Sequence, residues 1–147
     1  MNIITLNNVI KVAKEVLIEN AVDFIENANI GIHTVSPEGI IKYANEHELT
    51  VLGYTEGEYV GHHVSEFQFD KSCLEQMMIK LAKFESFSNF PAMVCGKYKM
   101  KYILYNSSVY EEDGEFVHTR CFGNEISESV YQACKVDYKK SLTNRVD

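Results

Sequence analysis

Residues 31–54, GIHTVSPEGIIKYANEHELTVLGY, contain the pattern that decides the fold. The β-branched residues at its start predict a strand, and residues 36–39 predict a tight turn in which Gly39 supplies a permissive backbone. Residues 40–45 predict the return strand. The apolar spacing then becomes helical, and Gly53 marks the end of that helix. The stretch therefore predicts an antiparallel hairpin followed directly by a short helix.

Length and charge limit the classes of protein that the chain can belong to. The 147 residues, with 46% hydrophobic content, predict one domain over residues 1–147 with a core that is stable without disulfides. A net charge of -7 argues against nucleic-acid partners, which select clustered lysine and arginine. The one basic cluster inside the body alternates as an exposed strand face would. It consists of Lys97, Lys99 and Lys101.

The sequence also predicts the cellular compartment. Its amino-terminal residues lack the basic, apolar and small-residue succession of a secretion signal, and no apolar run approaches the roughly 20 residues of a membrane span. We therefore expect a cytoplasmic protein whose scattered cysteines stay reduced, because none of them has metal-site or paired spacing. These cysteines are Cys73, Cys95, Cys121 and Cys134.

Helical periodicity predicts three further segments outside the hairpin. Residues 5–27 form the first, and the pair Thr55 and Glu58 matches a capping box that starts a short helix. Residues 70–86 form the clearest internal helix, capped by Asp70 or Ser72. Its inward stripe is predicted to be Leu74, Met77, Met78, Leu81 and Phe84.

The last third of the chain predicts three strands and a final helix. The strands cover residues 90–98, 100–110 and 116–122, and Asp113 with Gly114 predicts the hairpin turn between the last two. Ser127 can cap a helix that begins at residue 128. The fold class predicted is α+β, with a five-stranded antiparallel sheet, helices on one face, and flanking amino- and carboxy-terminal helices.

Four segments in this order resemble the PAS domain, in particular the sensor domains of bacterial signalling histidine kinases. EGIIKYAN resembles the second PAS strand, and LTVLGYTEGEYVGHHVSEF resembles the helical segment after it. NSSVYEEDGEFVHTRCFGNEIS is similar to the last hairpin, where Glu125, Ile126 and Ser127 stand for an Asp-Ile-Thr-like tripeptide. The resemblance implies a PAS core over about residues 22–127, an amino-terminal helix over 1–21 and a carboxy-terminal helix over 128–147.

The resemblance implies a cleft between the sheet and the middle helices that holds a small ligand. Alternation places Ile103, Tyr105 and Ser107 on one face of a late strand and Leu104, Asn106 and Ser108 on the other, without deciding which face is inward. Asn45 is also expected to bond backbone groups where strand gives way to helix. The candidate ligand-binding residues are Tyr43, Asn45, His62, Met77, Met78, Leu81, Tyr105, Asn106, Ser108 and Cys121.

Cofactors of this family leave recognisable residues, and two types are not expected here. Haem-binding members commonly use a histidine on the long internal helix, and residues 70–86 contain none. Met77 and Met78 at core spacing are typical of packing rather than iron ligation. Flavin photosensors carry a reactive cysteine in an Asn-Cys-Arg-Phe-Leu-Gln segment, which is missing although Cys73 lies nearby. The identity of any cofactor stays unknown at this point.

His62 and His63 are the most notable polar pair, because imidazole titrates near neutrality. With Glu66 they suggest a metal or pH-sensing site. Adjacent side chains rarely point the same way, however, and three residues would leave a metal incompletely ligated. We therefore expect no metal site, with one histidine partly buried and one at the surface.

No catalytic motif is present, so the chain is not expected to be an enzyme. We expect a sensory or regulatory module that binds a small ligand or a downstream signalling protein, with Glu125 and Ser127 relaying the change to the last helix. A ligand-free structural module for dimerisation or interaction is the alternative. Homodimerisation through the first helix is expected because its apolar stripe exceeds what one domain can bury. That stripe comprises Leu6, Val9, Ile10, Ala13, Val16 and Leu17.

Overall fold

A computed structural model describes residues 19–143 of the chain, with side chains as far as residue 139. The predicted stripe on residues 6–17 lies outside the described residues. The described helices are α1 (Ala21–Glu26), α2 (Glu46–Leu52), α3 (Glu56–Tyr59), a 3₁₀ turn (Val64–Glu66), α4 (Lys71–Ala82) and α5 (Glu128–Thr143). The strands are β1 (Gly31–Val35), β2 (Ile41–Ala44), β3 (Phe87–Cys95), β4 (Met100–Glu112) and β5 (Glu115–Ile126).

All five strands form one antiparallel sheet in the order β2-β1-β5-β4-β3. The early hairpin and the late strands therefore form one sheet, as the sequence predicted, and they join through β1 and β5. Asp113 and Gly114 turn the long β4–β5 hairpin with φ angles of 50° and 81°. Positive φ at both central residues is the geometry that matches the twist of the flanking strands. The α+β class with a five-stranded antiparallel sheet is confirmed.

Local sequence signals explain the helical segment after the first hairpin. Gly39 adopts a φ of 88° in the turn, and its N–H donates to the carbonyl of Ser36 at 2.9 Å. Gly53 ends α2 in the left-handed region at a φ of 82°, where a side chain would be strained. Thr55 and Glu58 form the predicted capping box at the start of α3. Each of these signals lies within a few residues of the feature that it controls.

The helices between β2 and β3 cover one face of the sheet and bury the core against it. Ile41, Leu52, Phe90 and Val94 are each at most 2% exposed. Asp70 caps α4 by accepting bonds from the backbone N–H groups of Ser72 and Cys73 at 2.9 and 3.2 Å, so the predicted start of this helix is correct. The other buried apolar side chains include Val35, Ala44, Tyr59, Phe67, Met77, Leu81, Phe87, Ala92, Ile103 and Tyr105.

Several sequence-based boundaries are wrong: Asn20 is an extended cap, so α1 begins at Ala21 inside the helix predicted over residues 5–27, and β3 ends at Cys95 instead of residue 98. Helix α4 ends at Ala82 because Phe84 turns to a φ of 60°, so Phe84 leaves the inward stripe and is 46% exposed. Strand β3 begins at Phe87, and β5 continues to Ile126, both beyond the predicted limits. The positive φ of Phe84 is uncommon for a residue with a side chain, which is why helical periodicity does not reveal it.

The carboxy-terminal helix α5 begins directly after β5 and packs back on the sheet. The hydroxyl of Ser127 accepts a bond from the N–H of Val130 at 3.2 Å, which confirms the predicted cap. Tyr131 is 2% exposed and its ring lies 5.0 Å from that of Tyr102. Further along, the ring of Tyr138 lies 4.8 Å from that of Phe90. Among the described helices, none is long and apolar enough to cross a membrane.

Candidate functional site: a cavity between the sheet and helix α4

A cavity of about 40 Å³, partly open to solvent, lies between the helix-covered face of the sheet and α4. Apolar side chains from α4 form one wall, and alternate residues of β1, β4 and β5 form the other. Most of the polar groups belong to the sheet wall. The lining residues are His33, Val35, Val64, Gln68, Leu74, Met77, Met78, Leu81, Phe87, Tyr105, Ser107, Thr119 and Cys121.

The structure decides which face of β4 looks inward. Ile103, Tyr105 and Ser107 are 3 to 5% exposed and face the core. Their neighbours Leu104, Asn106 and Ser108 are on the opposite face. Because side chains alternate along a strand, this one choice fixes the orientation of the whole late hairpin.

Cys121 occupies the middle of the polar wall. It lies directly opposite His33 on β1 and directly opposite Ser107 on β4 in the strand register. Residues paired in this way have side chains close together on the same face. The Cys121 Sγ lies 3.2 Å from Thr119 Oγ1, which in turn accepts a bond from the N–H of Val35 at 2.9 Å. The thiol is therefore held between an imidazole and two hydroxyl groups.

A buried carboxylate lies behind His33. Glu48 of α2 is 4% exposed, and the hydroxyl of Tyr59 donates to its Oε1 at 3.0 Å. His33 Nδ1 lies 3.4 Å from the same oxygen. The carboxylate occupies space left by Gly31, where an added Cβ would meet Oε2 at 2.2 Å. The cross-strand partner Gly123 similarly leaves room for the ring of Tyr105, 3.0 Å from an added Cβ.

These neighbours control the ionisation of His33 and Cys121. Burial lowers the pKa of His33, but the adjacent Cys121 and the carboxylate of Glu48 outweigh burial and raise this pKa to about 10. Burial raises the pKa of Cys121, but His33 and hydrogen bonds with Ser107 and Thr119 lower it overall. The geometry supports a protonated imidazole, because Glu48 would otherwise be a buried carboxylate without a counter-charge.

His33 has an incomplete set of partners. Its side chain is buried, and Nδ1 is the one buried side-chain polar atom without a hydrogen bond among the described residues. The 3.4 Å separation from Glu48 is an ion-pair distance, but the angle does not make a hydrogen bond. An unsatisfied buried donor is costly, and this one has only the Glu48 carboxylate near it.

Five of the candidate ligand-binding residues line the cavity, from two elements of the fold. Met77, Met78 and Leu81 come from α4, and Tyr105 and Cys121 come from the sheet. Met77 and Leu81 are 6% and 5% exposed. Their role in ligand binding stays a prediction.

Tyr43 and Asn45 lie elsewhere. Tyr43 is on the outer face of the sheet, where its hydroxyl donates to Glu26. Asn45 is fully buried and joins backbone groups as predicted: its Oδ1 accepts from the N–H groups of Ile32 and Glu48, both at 3.0 Å. Its amide also donates to the carbonyls of residues 25 and 30, at 2.9 Å each. Asn45 therefore ties α1, β1 and α2 together instead of lining the cavity.

Asn106 and Ser108 also lie away from the cavity, on the outward face of β4. The Asn106 Oδ1 accepts a bond from the N–H of Asn89 at 3.1 Å. Ser108 is the strand partner of Arg120. Neither residue can reach the cavity without reversing the face of the strand.

The histidine pair is divided between the surface and the chain turn. His62 Nδ1 lies 3.2 Å from Glu66 Oε2, with both side chains substantially exposed. His63 Nδ1 accepts a bond from the N–H of Ser65 at 3.1 Å and so caps the 3₁₀ turn. Within the described part of the chain, no group of three or more candidate ligands is placed to hold a metal ion.

The proposed relay residues occupy the junction between β5 and α5. Glu125 forms an ion pair with Lys101 at 2.7 Å, which links the end of β5 to β4. Ser127 begins α5. Their role in signal transmission stays a prediction.

Sequence reasoning missed His33 and Glu48 as members of the site, together with Thr119 and Tyr59, and it left the face of Ser107 undecided. A signal for Glu48 was present, because it precedes the buried Leu52 by one helical turn and so shares its inward stripe. His33 likewise lies two residues from both Gly31 and Val35 on β1, so it shares their buried face. The pairing of β1 with β5 has no such local signal.

A scan against protein-family models matches the PAS domain over residues 29–130, more than half of the chain.

The chain belongs to the PAS domain family.

Solved PAS structures share the fold at low sequence identity. The PAS domain of an HTR-like protein from Haloarcula marismortui superposes with a TM-score of 0.62 at 16% identity, covering 83% of this chain and 98% of that one. A PAS domain of a protein from Colwellia psychrerythraea gives 0.64 at 14% identity, with coverage of 80% and 98%. A light-oxygen-voltage domain studied with a flavin analogue gives 0.71 at 17%, with 86% and 98%. A search of curated protein sequences found no match.

The residues around the cavity do not fit a flavin. A cavity of about 40 Å³ is far smaller than the roughly 300–1,000 Å³ typical of pockets for cofactor-sized ligands. Cys73, the cysteine of α4, has its Sγ 3.4 Å from Asp70 Oδ2. Burial and the Asp70 carboxylate raise the pKa of Cys73 to about 11, the opposite of an activated thiol.

Proposed function

We propose that this PAS domain is a sensory module whose cavity binds a small ligand or responds to a small molecule. PAS and light-oxygen-voltage domains form a family of signalling sensors, which supports the general role. The observation that carries the proposal is the polar wall formed by His33, Ser107, Thr119 and Cys121 inside an otherwise apolar interior. A cavity needed only for packing would have no reason to collect these groups, because burying polar groups is costly.

Helix α5 is the proposed output element. It contacts β3 through Tyr138 and Phe90, and Lys135 and Lys139 face the start of α4 across a cleft that includes Asp70. A change in the distance between β3 and α4 would therefore alter the contacts that α5 makes with each of them. Glu125 and Ser127 would pass strain in β5 to the first turn of α5. The recipient would be a downstream signalling protein, such as a histidine kinase.

The proposed assembly is a homodimer formed through the amino-terminal segment. Support comes from α1, which directly follows that segment and exposes Val22 by 73% and Phe24 by 53%. Phe122 and Ile25 border an apolar groove on the outer sheet face beside α1. We further propose a non-catalytic cytoplasmic role without nucleic-acid partners, in keeping with the acidic sequence.

Ser107 and Ser108 offer a matched pair of variants to test ligand binding. Ser107→Leu fills the cavity, whereas Ser108→Leu adds the same side chain on the opposite face of β4. Native mass spectrometry of the purified chain is expected to show a retained small molecule in the parent and in Ser108→Leu, and its loss in Ser107→Leu. Equal masses in both variants, with no retained molecule in the parent, would reject ligand binding.

The small cavity also favours a second candidate, a ligand-free structural module for dimerisation. In that role Ser107→Leu would leave dimerisation unchanged and alter stability alone. The dimer itself is tested by Val9→Glu with Val16→Glu, which should give monomers in light scattering. Lys11→Glu with Lys14→Glu, off the apolar stripe, is the control and should stay dimeric. An unchanged mass in the valine variant rejects the interface.

A further inference from the structure

We propose that Cys121 is a peroxide-modification site, at which a small hydroperoxide enters the cavity and converts the thiol to a sulfenic acid. This inference deepens the proposed function, because it uses the same cavity and names the chemical class that would act on it. Cys121 lies directly across the strands from both His33 and Ser107, and all three line the cavity. Cys121 therefore borders the cavity, with its thiol next to Thr119 and opposite His33.

His33 provides the second, independent observation at this site. It is 6% exposed and lines the same cavity, and its buried Nδ1, which faces Glu48, has no hydrogen bond. The carboxylate of Glu48, 3.4 Å away, favours the protonated imidazole. An imidazolium opposite a thiol favours the thiolate, which is the form that attacks peroxide. Burial opposes formation of the thiolate, yet the pKa of Cys121 is lowered overall by His33, Ser107 and Thr119.

Cavity size selects the reactant. A volume of about 40 Å³ exceeds the roughly 10–15 Å³ that a cavity needs to hold one water, so a small polar molecule can enter it. Hydrogen peroxide has two oxygen atoms and fits, whereas a bulky organic hydroperoxide or a tripeptide disulfide does not. Gln68, Leu74 and Met78 on the helical side of the cavity are half-buried, so side-chain movement there gives a route inward.

The reaction balances with groups already in the cavity. The Cys121 thiolate attacks one peroxide oxygen, so a sulfur–oxygen bond forms while the oxygen–oxygen bond breaks. Sulfur is oxidised by two electrons, and the peroxide is reduced. The departing hydroxide takes the proton of the His33 imidazolium and leaves as water, while the attacked oxygen keeps its own proton in the sulfenic acid. The oxidised side chain is larger and more polar than the thiol, so it would press on the wall formed by α4.

The test compares the four cysteines of the full-length reduced chain. The chain is exposed to hydrogen peroxide with a dimedone-type probe for sulfenic acid, and labelled peptides are quantified by mass spectrometry. We expect Cys121 to be labelled faster than Cys73, Cys95 and Cys134. His33→Gln should slow labelling of Cys121 by about tenfold, the effect of one unit of thiol pKa. His118→Gln, on the outward face of β5, is the matched control and should react like the parent.

A second measurement uses the parent chain alone and does not depend on a variant that folds. Cumene hydroperoxide should label Cys121 at least about tenfold more slowly than hydrogen peroxide, relative to the same comparison at Cys134. Unlabelled Cys121, equal rates in the parent and a folded His33→Gln, or equal discrimination at both cysteines would each overturn the proposal. A ligand retained by the parent with Cys121 unlabelled would reject the oxidation alone and leave the sensory role standing.

Discussion

Two buried polar clusters lie on either side of β1, and they differ in how completely their hydrogen bonds are satisfied. Asn45 makes four hydrogen bonds to backbone groups and leaves none of its own polar atoms unpaired. The cluster of His33, Glu48 and Cys121 is equally buried but leaves His33 Nδ1 without a hydrogen bond. Complete pairing is what a structural joint requires, whereas incomplete pairing beside a cavity is typical of a site that interacts with something else.

Removing the satisfied cluster should have the largest effect on stability. Asn45→Ala deletes the cap of α2 and leaves four backbone groups without their partner, so we expect a loss of about 3–4 kcal/mol in the free energy of unfolding. That corresponds to a fall of about 10 °C in melting temperature. Asn106→Ala, which removes one bond on the outer sheet face, should cost about 1 kcal/mol. Equal losses for the two variants in thermal melts would contradict the structural role.

Neutralising Glu48 should have an intermediate effect on stability, and its main effect should be on the pKa of His33. Glu48→Gln keeps an acceptor for the Tyr59 hydroxyl but removes the charge opposite His33, and we expect a loss of about 2 kcal/mol. The His33 pKa should fall, because burial then acts with less opposition. An NMR titration of the imidazole measures this directly. A His33 pKa unchanged in Glu48→Gln would show that the carboxylate does not control the cluster.

The smallest effect should be a change in how the free energy of unfolding depends on pH. His33 has a folded pKa above its ordinary 6.5, so it binds more proton in the folded state and its stabilisation is lost as pH rises towards about 10. Cys121 has a folded pKa below its ordinary 9.0. Its contribution to stability therefore grows as the pH rises towards 9.0, and it opposes the contribution of His33. The groups facing His33 are Glu48, Tyr59, Tyr105 and Cys121.

Cys121→Ser removes the opposing contribution and leaves Glu48 as the group that still raises the His33 pKa. Its free energy of unfolding should fall between pH 7 and pH 8 by up to about 1.4 kcal/mol, while that of the parent stays flatter. Urea unfolding at the two pH values measures both slopes. Adding His33→Gln to Cys121→Ser should flatten the slope again. Parallel slopes in all three chains would mean that neither His33 nor Cys121 changes its pKa on folding.

Sequence reasoning predicts the satisfied cluster better than the unsatisfied one because their determinants lie at different distances along the chain. The role of Asn45 follows from local chemistry, since a cap acts on residues within one turn. The turn at Gly39 and the caps at Thr55 and Asp70 are local in the same way. The turn and the caps, including the bond of Asn45 to the N–H of Glu48, are confirmed by hydrogen bonds within a few residues, whereas the other three Asn45 bonds are long-range.

The candidate site depends on long-range register instead. His33 and Cys121 face each other only because β1 pairs with β5, and no periodicity within either strand encodes that partner. Alternation on β4 is symmetrical between its faces, so Asn106 and Ser108 could not be separated from Tyr105 and Ser107 by pattern alone. The left-handed turn at Phe84 also escaped the sequence, because the helical stripe continues in composition after the helix has ended.

Gly31 makes two positions on separate elements interdependent. The Glu48 carboxylate can occupy its place only while residue 31 lacks a side chain, since a methyl group there would overlap Oε2. Gly31→Ala should therefore be less harmful once Glu48 has become alanine, with only the Gly123 carbonyl oxygen, 3.2 Å from an added Cβ, still in tight contact. In protein engineering or evolution, a buried acid at 48 and a glycine at 31 would have to be gained or given up together.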